Sequence, residues 1–221
     1  GNDGAVIELP PGSLIELTEL DNDSNGLPRI ERSVTVRGHG ATIARDSALA
    51  CPMGSDFRLF EAAAGGNLTL EDLTIANGCA PAGSGGGILS SGGSVILRRS
   101  TIEGNEAGVG GGIAVSGGNL LAFDSTVRRN LAGWRGGGIS ISGDPGWLLL
   151  RNSTLSENAA STGGGLAVSS ATPALVRNST VSRNDAAMNG GGLEVDALEG
   201  GLLLEFSTVT GNASPNGAGL R

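Results

Sequence analysis

The chain has no lysine and no tyrosine, a single histidine, two cysteines and aromatic residues at only 3% of its 221 positions. Each shortage removes a class of function. Without lysine, all 14 basic side chains are arginines, set against 22 acids for a formal charge of −8. An acidic chain of this kind lacks the clustered cations that phosphate backbones and anionic bilayers require, so nucleic acid and membrane surfaces are not expected partners. Without tyrosine, and with His39 alone between two glycines, few general bases remain. No stretch approaches the roughly 18 apolar residues of a membrane helix. No leader segment is visible, and the opening Gly1-Asn2-Asp3-Gly4 reads as a mature or trimmed start.

Glycine is plentiful instead, at 40 of 221 residues, and its placement is periodic. Thr74, Thr101, Thr126, Thr154, Thr180 and Thr208 recur at intervals of 25 to 28 residues, each followed by Ile or another aliphatic residue. An Asn stands four places on, at Asn105, Asn130, Asn158, Asn184 and Asn212, whereas the first copy has Asn77 one place early. Glycine triplets follow, from Gly85-Gly86-Gly87 to Gly190-Gly191-Gly192, with a decayed sixth at Gly217-Ala218-Gly219. A fixed period in the twenties marks a solenoid whose units bury their apolar faces only against one another. Helical repeats are excluded, because each interior glycine would cost a helix about 1 kcal/mol.

The remaining short runs alternate with period two, the signature of strands. Aligning the copies predicts an all-β, single-stranded, right-handed parallel β-helix with three strands per coil and about eight coils, roughly 38 Å long. One solenoid is expected over 1–221, with an N-terminal cap and first coil in 1–30 and regular repeats over 68–221. The chain stops in mid-coil, so a truncated or partner-covered C-terminal end is expected, and end-to-end self-association is an expected mode of contact. Stacking places the Asn residues in an axial ladder and brings Cys51 and Cys79, one coil apart, within disulfide range.

Segments such as Asn152-Ser153-Thr154-Leu155-Ser156-Glu157-Asn158 and Asn178-Ser179-Thr180-Val181-Ser182-Arg183-Asn184, each leading to Gly-Gly-Gly-Leu, resemble the secreted bacterial right-handed β-helix repeat proteins of the pectin-lyase-like superfold. The resemblance is nearest to the CSLREA-domain and choice-of-anchor surface proteins, and more distant to the chlamydial polymorphic outer-membrane proteins. The Cys-Ser-Leu-Arg-Glu-Ala signature itself is absent. The resemblance implies a secreted or cell-surface location. It specifies the fold and leaves activity open, because this superfold hosts lyases, hydrolases and adhesins.

Candidate sites are few. Asp21, Asp23 and Asn25, followed by Gly26, reproduce the first half of a calcium loop, but the second half lacks its bidentate Glu; Ca2+ is the single cofactor suggested. The outward column of the first strand runs Glu71, Arg98, Phe123, Arg151, Arg177 and Glu205, a face suited to an acidic glycan. Trp134 and Trp147, in one coil, are candidate sugar platforms. No acids recur at equal offsets as the catalytic carboxylates of related enzymes would, and Asp72, Arg99 and Asp124 read as a charge stack. The expected function is a non-catalytic rigid stalk or adhesin-like module, contacting a glycan or a surface protein. The alternative is a carbohydrate-binding or carbohydrate-cleaving β-helix acting on acidic glycans.

Overall fold

Ile7, Val36, Leu70, Leu97, Ala122, Leu150, Val176 and Leu204 stand in one parallel register, each opposite its counterpart in the next coil. These eight rungs make seven turns of a parallel β-helix. The computed structural model describes residues 4–22, 24–52, 56–169, 173–196 and 201–221, without the side chains of Asp144 and Pro145. Among the described residues there is no helix.

A coil is typified by Ser94–Arg98, Thr101–Glu103 and the rung opening at Ile113, which are the three expected strands. A further short strand, Glu106–Val109 in this coil, lies between the second and the glycines. Its equivalents Cys79–Ser84, Leu131–Arg135, Ala159–Thr162 and Asp185–Asn189 make a separate five-stranded sheet.

Alternate side chains point into the bore because successive Cβ atoms of a strand face opposite ways. Leu68, Val95, Leu120 and Leu148 form one fully buried column, and Ile88, Ile113, Ile139, Leu166 and Leu193 form another. Each such side chain contributes about 1.5–3 kcal/mol by leaving water.

Three positions per coil take left-handed backbone, the last of them Gly85, Gly110, Gly136, Gly163, Gly190 and Gly217, with φ between 59° and 67°. The first is the residue before the serine, at Asp72, Arg99, Asp124, Asn152, Asn178 and Phe206, with φ between 48° and 52°. The second is Asn77, Gly104, Arg129, Glu157, Arg183 and Gly211. Asn77 is therefore a corner residue, and Gly78 takes the ladder position, its N–H donating to Asn105 Oδ1 at 2.8 Å. A side chain at residue 78 would collide with the carbonyl of Gly86, which explains the missing asparagine.

Of residues 1–30, expected to hold the cap and first coil, the described ones wind as a coil stacked on the next, through Ala5–Glu8, Leu14–Leu17 and the bridges at Asn25 and Ile30. Their inward side chains Ile7, Leu9, Ile15 and Leu27 line an apolar mouth of about 600 Å³ above Phe60. At the other end Leu202, Leu204 and Val209 are only partly buried. Cys51 and Cys79 form a disulfide, with Cα atoms 5.9 Å apart.

Candidate functional site

The polar residues of the repeat are spent on the stack. Asn105, Asn130, Asn158 and Asn184 are each 1% exposed, and each side-chain amide donates to the Oδ1 of the next at 2.9–3.0 Å. The same Nδ2 also reaches a backbone carbonyl, that of Ile75, Ile102, Val127 or Leu155. A second ladder, unforeseen in the sequence, runs through Ser100, Ser125, Ser153, Ser179 and Ser207. Each backbone N–H meets the next serine's Oγ at 3.0–3.3 Å.

The outer charges form axial pairs. Glu157 lies between Arg129 at 2.9 Å and Arg183 at 3.0 Å, and those two guanidiniums hold its carboxyl below its ordinary value. Asp72 is held down by the bidentate Arg99, and Glu8 by His39 and then Arg37. Both belong to outer charge stacks, and Asp72, His39 and Arg99 line a shallow pocket of about 310 Å³ there.

The expected arginine row is largely occupied. Arg98 lies 3.8 Å from Glu71 and over the Phe123 ring, and Arg177 lies 3.5 Å from Glu205 and over Phe206. Arg151 sits in register between Phe123 and Arg177. It alone of the three makes no ion pair among the described residues.

Asn25 turns inward at 2% exposure, where its Oδ1 accepts from Arg58 at 2.8 Å and its Nδ2 donates to Glu61 at 3.0 Å. A guanidinium thus occupies the side-chain oxygen expected to face calcium. Asp21, exposed, accepts from Asn22, and Asp23 lies outside the described residues. Glu61 is pushed up by burial, but hydrogen bonds from Ser91 and Asn25 and the charges of Arg29 and Arg58 outweigh this and lower it. Burial in turn lowers Arg58. The sulfurs of Cys51 and Cys79 beside Asp56 are tied in their disulfide and offer no thiolate to a metal.

The two tryptophans are on different sheets, with the rung that opens at Ile139 between them. Trp147, 45% exposed, opens the first-strand rung of Arg151, whereas Trp134, 73% exposed, stands on the five-stranded sheet. Trp134 walls a groove of about 470 Å³ completed by Arg135, Ser161, Thr162, Met188, Glu194 and Asp196. Arg135 reaches across it to Glu194 at 3.3 Å and Asp196 at 3.7 Å. Among the described residues two buried side-chain polar atoms lack a hydrogen-bond partner, Arg135 Nε and Thr162 Oγ1, and both residues line this groove.

A difference in loop length makes the groove. Leu131–Arg135 and Asp185–Asn189 each carry one residue more than the intervening Ala159–Thr162, which shifts the register on both sides. Trp134 and Met188 stand out from the long rungs, and Ser161 lies recessed between them. The signal was present in the sequence: Asn130 to Gly136 and Asn184 to Gly190 span six places, but Asn158 to Gly163 spans five.

No curated protein and no solved structure matches the chain. A family model described as the right-handed beta helix region matches residues 59–220, or 162 of 221. Stacked parallel coils, buried aliphatic columns and this match together establish that the chain belongs to the right-handed β-helix family.

Proposed function

We propose that the chain is a non-catalytic, rigid β-helix module of a secreted or cell-surface protein, serving as a stalk or adhesin-like segment. The observation that carries this reading is that the recurring Asn and Ser side chains are consumed by axial hydrogen bonds. Such a stack resists bending and carries load along its axis, since every coil is bonded to both neighbours. The Cys51–Cys79 disulfide supports an oxidising compartment. The charge stacks support the spacer reading over cleavage of acidic polysaccharides, because Arg98 and Arg177 already have partners and no acid–base pair converges beside them.

Deleting Ser100–Asp124 tests the reading, because it removes one whole coil and joins Arg99 to Ser125, residues that carry the same corner-to-serine step. A spacer tolerates this: the shortened chain unfolds cooperatively, and the parent releases no product from polygalacturonate or alginate. Product release from either polymer would overturn the reading.

A further inference from the structure

We infer that the groove between Trp134 and Met188 binds a single neutral pyranose ring of a glycan, held edge-on between the two side chains. This goes beyond the spacer reading and does not depend on it.

Spacing comes first. Trp134 and Met188 occupy equivalent places on rungs two apart, because Arg135 and Asn189 both stand opposite Thr162. Two strand spacings are about 9.6 Å. A carbon-to-carbon contact takes about 3.5–4.0 Å, so the walls leave room for one saturated ring in contact on both faces, and not for two. The exposed indole offers its face to the axial C–H groups of such a ring, and the flexible Met188 thioether closes on the other side.

The floor selects for an oxygen-rich guest. Arg135 Nε is a donor without an acceptor, and the hydroxyl of Thr162 in the neighbouring rung is also unpaired. Leaving such buried groups unpaired is unfavourable, and a guest that pairs them recovers that cost. One ligand hydroxyl, its oxygen accepting from Arg135 Nε and its hydrogen directed to Thr162 Oγ1, satisfies both. A small shift of the Arg135 side chain, which is 31% exposed, opens that path.

Charge then decides between guests of similar shape. One guanidinium faces the two carboxylates of Glu194 and Asp196, leaving the groove net negative within a chain of charge −8. A uronate is repelled. Choline would gain from the carboxylates and the indole and carries one hydroxyl, but it has no saturated ring to meet both walls at once. A neutral hexose meets all three conditions.

The test follows the indole N–H resonances of the two tryptophans by ¹⁵N-resolved NMR, titrating β-1,4-glucan, α-1,4-glucan, β-1,4-mannan and β-1,4-galactan hexamers, with hexagalacturonate and choline as charged probes. The expected result is a saturable shift of the Trp134 signal with at least one neutral hexamer and none with the charged probes. Read from the backbone amides of Ser161 and Thr162, which line the groove, Trp134→Ala should lower that affinity at least tenfold and Thr162→Val several-fold, with Trp147→Ala unchanged. The proposal is overturned if no neutral hexamer moves the Trp134 signal, if only choline or hexagalacturonate does, or if Trp134→Ala binds like the parent. Unchanged amide spectra away from the groove show that the variants remain folded.

Discussion

Asn130 donates its side-chain amide to Asn158 Oδ1 at 2.9 Å, and its backbone N–H reaches the same oxygen at 3.0 Å. One buried oxygen therefore serves two donors of the neighbouring coil, while the Nδ2 of Asn158 serves both Val127 O and Asn184 Oδ1. Repeated from Asn105 to Asn212, this couples each of these coils to the next, through groups that are buried as far as Asn184. Each member is stabilised by its neighbours.

Asn158→Ala should destabilise the fold by about 2–4 kcal/mol, since it removes four hydrogen bonds in a buried site and takes from the Asn130 backbone N–H its Oδ1 acceptor. At the outermost member, Asn212→Ala should cost about 1 kcal/mol, because its surroundings are only partly buried. Chemical denaturation of the two variants checks the ordering.

Glycine positions should divide sharply. A Cβ on Gly137 would meet the carbonyl oxygens of Ala159 and Gly164, both backbone atoms of the stacked coil, so Gly137→Ala should cost more than about 3 kcal/mol. At Gly133 the nearest atoms lie 3.9 Å away, and Gly133→Ala should be tolerated within about 0.5 kcal/mol. Thermal melts of both proteins decide the matter.

Acid should weaken the chain through its outer stacks. Glu157, Asp72 and Glu8 are all held below their ordinary values of 4.5, 3.8 and 4.5 by arginine or histidine partners. Their contribution is therefore present above those ordinary values and lost as pH falls below them, through the lowered folded values. All three are exposed, so the effect is small and screened by salt. Melting temperature should fall on going below pH 4.5, and Glu157→Gln and 0.5 M NaCl should each flatten that fall.

Arg151 has an aromatic ring on one side and a like charge on the other. Arg151→Glu should pair with Arg177 across the rung and raise stability by up to about 1 kcal/mol. Arg98→Glu should do the reverse, facing Glu71 in register. A double-mutant cycle with Arg177→Ala isolates the new pair.

Reduction of Cys51–Cys79 removes a cross-link spanning 28 residues and should cost about 3 kcal/mol. Melts with and without reductant measure it.

The period and the inward columns were legible because stacking puts like on like, so a single alternation such as Leu148/Leu150 recurs wherever its column does. The Asn ladder was legible for the same reason. The five-stranded sheet was not, since segments such as Ala159-Ala160-Ser161-Thr162 are small and show no alternation. The serine ladder is not legible in the sequence, because a serine at a strand end satisfies many local motifs and only the neighbouring coil reveals its partner. The arginine row was placed in the right column, but its neutralisation depends on Glu71, Glu205 and two phenylalanine rings aligned across coils. The groove at Trp134 arises from one extra residue in alternate rungs, a difference visible only once the copies are aligned outside the strands.

Spin labels at Thr74 paired in turn with Thr126, Thr154, Thr180 and Thr208 give the most direct measurement, because these residues stand in one register along the axis. A parallel solenoid predicts pair distances that rise linearly by about 4.8 Å per coil, from roughly 10 Å to roughly 24 Å. Distances that plateau, or that fail to increase in sequence order, would contradict it.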